Sequence, residues 1–156
     1  MTAQLFGDFE LKSSTGEQLE LKARKTLALL AVLILEDARW LSRDGLAGLL
    51  WGDRPDARAR SSLSQALYEI RKLEAALGVT IVEREAERLR LAEDSVESDI
   101  RAFRTALMAN IPEAANYRPH ELLDGIDLRD QAFADWLLSK RTEYHEKLSD
   151  ALRGLA

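Results

Sequence analysis

The chain has 156 residues, a net charge of −5, 46% hydrophobic residues and 31% charged residues, which suits one domain or a small domain with an appendage. It has no cysteine, no apolar run of 18 residues and no basic-then-apolar N-terminus. Disulfide scaffolds, cysteine zinc sites, cysteine nucleophiles, membrane-spanning helices and a secretory signal are therefore not expected, and the expected compartment is the cytoplasm.

Residues 1–22 alternate as β-structure. Leu5, Phe9 and Leu11 share one parity, Ser13–Gly16 is a turn cluster, and Leu19 and Leu21 alternate again, which predicts a hairpin about Gly16. From Ala23 to Leu35 the chain is apolar all round, the pattern of a fully buried helix, with Arg24 and Lys25 as a solvated flank at its start. Ser42 can cap a short helix, RDGLAGLLW, with Asp44 in its first turn. After the Gly52–Pro55 break, Leu63, Leu67, Ile70, Leu73 and Leu77 keep helical spacing over about Asp56–Leu77, and Gly78 ends the helix. Val79–Val82 and Leu89–Leu91 form a second hairpin with Glu83–Glu87 as its charged tip. Ala92–Ser98 is acidic and is the expected junction. Beyond it lie a helix over Asp99–Ala109, a looser stretch with two prolines, and a long helix over about Leu128–Leu155 with Phe133, Trp136, Leu137, Tyr144, Leu148 and Leu152 as its stripe.

No enzyme signature is present. The chain lacks a glycine-rich phosphate loop, GxSxG and HExxH, and its two histidines, His120 and His145, read as surface or packing residues. The expectation is no catalysis, no cofactor and no metal.

The Asp56–Leu77 helix is different. Opposite its core stripe lie Arg58, Ser61, Gln65, Tyr68 and Lys72, with Ser62 and Glu69 beside them. Between Arg54 and Lys72, five basic residues (Arg54, Arg58, Arg60, Arg71, Lys72) meet two acidic ones (Asp56, Glu69), a local +3 within a chain of −5. Arg and Gln can bond base edges, while Ser, Tyr and Lys can take phosphate oxygens. Such a face suits a DNA major groove, and it is also what an ordinary solvated amphipathic helix presents. Two short helices, this helix and a charged hairpin form, in that order, a helix-turn-helix with a wing. The wing tip offers Arg84 and Arg88 to the backbone or a neighbouring groove, against Glu83, Glu85 and Glu87.

In LFGDFEL, RKTLALLAVLIL and LSRDGLAGLLWGDRPDARARSSLSQALYEIRKLEAALG the sequence resembles the winged-helix domain of OmpR-type regulators, and most of all the SARP group of bacterial transcriptional activators. SDIRAFRTAL, HELLDGID and AFADWLLSKRTEYHEKLSDAL resemble the opening of the bacterial transcriptional activator domain that follows in that group. The resemblance implies an α+β fold. Residues 1–97 would form an OmpR-type winged helix, with an N-terminal antiparallel sheet, three helices and a hairpin wing. Residues 98–156 would be part of a helical, TPR-like domain. It implies that Trp51 packs near the DNA backbone and that Ser61, Ser62, Gln65, Tyr68, Glu69 and Arg71 face DNA. Tyr68 and Glu69 stand where some members carry arginines, and the wing lacks the Gly-Tyr pair common in OmpR-type domains. The resemblance further implies contacts to RNA polymerase and a homodimer on direct repeats.

The expected function is a sequence-specific regulator of transcription that binds double-stranded DNA, with Arg58, Arg60, Lys72 and the wing on phosphates and Gln65 and its serine neighbours on bases. The alternative is a winged-helix protein-interaction module that no longer binds DNA. A third reading is an adaptor domain of a signalling enzyme. Membrane association is not expected.

Overall fold

The computed structural model describes residues 1–154. The architecture is α+β, with five α-helices and two three-stranded sheets among the described residues. Strand β1 (Thr2–Gln4) pairs antiparallel with β2 (Glu10–Lys12), Ala3 opposite Leu11. This hairpin, with Gly7 at φ +82, precedes the turn that the alternation predicts about Gly16. Residues around Gly7 are bonded elsewhere: its N–H donates to Glu121 O at 2.9 Å and Leu123 N–H donates to Leu5 O at 2.7 Å. The predicted second strand, Glu17–Lys22, pairs back across the Gly16 turn at its start: Gln18 bridges Lys12, and Leu19 N–H donates to Leu11 O and Ser13 N–H to Glu17 O, both at 2.8 Å.

Helix α1 (Arg24–Leu35) is buried at Thr26 and at every position from Ala28 to Leu35. Its all-round apolarity follows from its central place. Later helices pack on it, and Arg104 and Lys140 reach its C-terminal end, bonding Leu35 O and pairing with Glu36. Lys25 is not a free flank: it lies 5.8 Å over the Trp51 ring and 3.7 Å from Asp53. Strand β3 (Leu41–Ser42) leads directly into α2 (Arg43–Trp51), whose first turn is capped by Ser42 Oγ accepting the Gly45 N–H at 2.9 Å. Gly52 then allows a close backbone approach, since a Cβ there would meet Gly48 O at 2.4 Å. Helix α3 (Asp56–Leu77) begins after Pro55 and ends at Gly78 in the left-handed conformation, φ 68.

Strands β4 (Val82–Glu85) and β5 (Arg88–Leu91) form the second hairpin, and β3 joins it in the order β3-β5-β4. The hairpin begins three residues later than the β-branched run Val79–Val82 predicts. Glu74 explains the shift: its carboxylate accepts the Ile81 and Val82 N–H groups at 2.7 and 3.2 Å, holding that stretch to α3. The turn is Ala86–Glu87 alone.

The expected junction is folded rather than loose. Val96 is buried, and β6 (Glu97–Ser98) adds parallel to β1. The predicted boundary at 97/98 falls inside this strand, and one hydrophobic cluster contains Leu5, Ile70, Phe103 and Phe133 from both sides of it. Ser98 caps α4 (Asp99–Met108), and the Asp99 carboxylate accepts the Leu5 and Phe6 N–H groups at 2.8 and 2.9 Å. Burial pushes that carboxyl upward against the pull of these bonds. Two short 3-10 turns, Pro112–Asn116 and Pro119–Glu121, follow. Helix α5 (Gln131–Gly154) starts three residues after Leu128, where Asp130 accepts the Phe133 N–H at 3.1 Å. The predicted end, Leu155, lies outside the described residues. Phe6, Phe103, Tyr117 and Tyr144 form a chain of tilted and edge-on rings, with centroids 5.1 to 5.7 Å apart, that fastens α4 and α5 to the first sheet.

Candidate nucleic-acid interface

Helix α3 buries Ala59, Leu63, Ala66, Leu67 and Ile70 and turns its other side outward. Its 22 residues make a rod of roughly 33 Å. Arg58, Arg60, Ser61, Gln65, Tyr68, Arg71 and Lys72 are all exposed on that side, so no other element covers it. Helix α5 packs on α2 instead. Arg58, Arg71 and Lys72 have no ion-pair partner among the described residues. Arg60 is held only 4.0 Å from an exposed Asp44, a pair that water screens. Lys72 sits 4.9 Å over the Tyr68 ring, which is 54% exposed. The face therefore offers cations, an amide, hydroxyls and an aromatic, and little negative charge.

Two polar residues beside this face have internal partners. Glu69 turns back to α1, where its Oε2 accepts the Thr26 hydroxyl at 3.0 Å, which removes it from the outward set. This bond satisfies a threonine only 1% exposed. Ser62 receives Arg54 at 2.6 Å, which fixes the loop before α3 to its second turn.

Three expected contacts are placed otherwise. Trp51 is a core residue, 4% exposed, under Lys25, so its ring packs the α2 end rather than facing outward. Arg84 is not at the hairpin tip. It lies against α3, 3.5 Å from Glu74, and donates to Leu67 O and Val82 O at 3.4 and 3.3 Å. Pairing with Leu89 across the strands puts Arg84 on the buried side of the sheet. Loss of hydration there lowers its guanidinium pKa, with Glu74 opposing and the charges of Arg71 and Arg43 adding to the lowering. Arg88 is on the outer side, but Glu85 takes it at 2.9 Å. Arg90 pairs in the same way with Glu83 at 2.7 Å, and both guanidiniums lie over Trp40, at 4.9 and 4.5 Å. The hairpin's outer charges are thus cross-strand partners, in the register Glu83 opposite Arg90 and Glu85 opposite Arg88.

Sequence reasoning missed Arg43. It opens α2, its N–H donates to Glu87 O at 2.8 Å, and its buried Nε has no hydrogen-bond partner among the described residues. Nothing in the periodicity marks it, because an orphan donor is a property of the assembled fold. Trp40 was missed for the same reason: its partners arrive from another strand. His120 and His145 are exposed, and no group of three metal-ligating side chains occurs among the described residues. No helix among them is long and apolar enough to cross a membrane.

No family model and no curated protein matches the chain. Among solved structures, the chain is similar to Mycobacterium tuberculosis EmbR, determined in complex with a low affinity phosphopeptide. The TM-score is 0.65 at 24% identity, over 96% of this chain and 45% of that one. The chain spans less than half the length of EmbR, and what the two share is the fold.

Proposed function

We propose that this chain is a transcriptional regulator of the SARP type that binds double-stranded DNA sequence-specifically, with α3 as the recognition helix of a winged helix. The observation that carries the reading is the α3 face, exposed along its length, with Arg58, Arg71 and Lys72 free of carboxylates among the described residues. Arg58, Arg60, Arg71 and Lys72 would bind phosphates and set register, and Gln65 with Ser61 would read base edges in the major groove. The fold shared with EmbR supports the regulator reading. Activation of transcription, contact with RNA polymerase and two copies on direct repeats rest on the sequence resemblance, and the proposed cytoplasmic location fits a chain without cysteine. The proposed activity uses no cofactor and no catalysis.

The charge-paired hairpin favours a second reading, a protein-interaction module whose wing does not engage DNA. Selection of bound duplexes from a random pool, with the purified chain at low salt, separates the two. The DNA reading predicts enrichment of one short motif. Recovery of unenriched DNA, or none, favours the module.

A further inference from the structure

Arg58, Ser61, Gln65, Tyr68 and Lys72 follow one another at alternating three- and four-residue steps, so they form a single ridge along the exposed side of α3. With a rise of about 1.5 Å per residue, Ser61 to Tyr68 spans roughly 10 Å, less than the ~12 Å width of a major groove. Arg58 to Lys72 spans roughly 21 Å and overhangs it. The two cations at the ends of the ridge therefore reach toward phosphates, and Ser61, Gln65 and Tyr68 are left to face base edges.

Tyr68 is the one exposed aromatic among the described residues. Its ring is oriented rather than free: Lys72 Nζ lies 4.9 Å from its centroid and covers one face, while more than half of the residue stays open to solvent. Glu69, its neighbour in the chain, bonds Thr26 and puts no free carboxylate beside the ring. A phenol has no fork of donors with which to read guanine, as an arginine has. Its apolar body matches instead the one apolar group that the major groove displays, the C5-methyl of thymine. Gln65, one turn earlier, pairs best with adenine through N6 and N7. Three residues apart on a helix, the two side chains start ~5–6 Å from each other, within reach of neighbouring base pairs ~3.4 Å apart.

We propose that Tyr68 is a specificity-determining residue, and that its ring packs on the methyl of a thymine beside the pair read by Gln65. The preferred duplex then carries adjacent A·T pairs under the centre of α3. This deepens the DNA reading and rests on it.

Binding titrations of the full chain on the duplex it selects test the proposal, with each thymine replaced in turn by deoxyuridine, which lacks only the methyl. At one thymine position the wild-type chain should lose about fourfold in affinity, the worth of one buried methyl. Tyr68→Ala should abolish that response and keep the thermal midpoint, because the side chain is exposed. Tyr68→Phe should retain the response, since the ring and not the hydroxyl makes the contact. Tyr68→Arg should move the preference at that position toward G·C. A wild-type chain that binds its selected duplex and responds at no thymine overturns the inference while the DNA reading stands. So does a response that persists in Tyr68→Ala, or one lost in Tyr68→Phe, which assigns the hydroxyl instead. If no duplex is selected, both fall.

Discussion

Helix α3 and the β4–β5 hairpin both carry arginines near one surface, and they use them in opposite ways. On the hairpin, every arginine has a partner: Glu85 holds Arg88, Glu83 holds Arg90, and Glu74 holds Arg84. On α3, Arg58, Arg71 and Lys72 have none among the described residues, and the one carboxylate beside that face, Glu69, points inward to Thr26. Counting charges along the chain cannot tell these regions apart. Pairing can, because a guanidinium already facing a carboxylate gains little from a phosphate, while an unpaired one releases counterions when it binds.

The largest expected effect sharpens that contrast on the α3 side. Arg58→Ala with Lys72→Ala should weaken binding to all duplexes alike, by about a hundredfold near 0.1 M salt, and reduce the salt slope by about two. Titrations by fluorescence anisotropy on related and unrelated duplexes check this. A loss confined to one sequence would assign these residues to base reading instead.

Next in size is Arg84→Met, which acts on the fold. It leaves Glu74, whose side chain is only 12% exposed, without its ion pair, though Glu74 keeps the bonds that start β4. A loss of about 1–3 kcal/mol is expected in urea unfolding, with DNA affinity preserved where the protein is folded. An affinity loss without a stability loss would return Arg84 to the DNA-contacting set.

Gln65→Ala should relax preference at a single base pair by about 1–2 kcal/mol and change non-specific binding little. Competition between duplexes differing at one position measures it. The smallest effect belongs to Arg88→Ala, half exposed and paired: less than about 0.5 kcal/mol in stability and less than about twofold in affinity. A tenfold loss would show that the hairpin pairs open to meet DNA and would erase the contrast.

Much of this arrangement was legible in residue order. Helices α2 and α3 have their predicted bounds because Ser42, Pro55 and Gly78 mark their ends chemically, and α1 reads as buried because its apolar residues leave no polar side. What the sequence hid depends on distant partners. The earlier β1–β2 hairpin was hidden because Leu5 and Gly7, beside its turn, bond a segment more than a hundred residues away. The junction folds as a strand because β1 leaves an edge for Glu97 and Ser98, which no alternation announces over two residues. In the candidate site, spacing alone placed Arg58, Ser61, Gln65, Tyr68 and Lys72 on one exposed side. It could not show that Arg84 points into the molecule, that Trp51 is core, or that Arg43 has an orphan donor, because each needs the neighbouring element in place.

The most direct measurement is the salt dependence of binding to a selected duplex, with wild-type protein between about 50 and 300 mM monovalent salt. Four α3 cations meeting phosphates predict a log–log slope of about −3.6, and the same slope for Arg88→Ala. A slope near zero, or no binding at the lowest salt, contradicts the account.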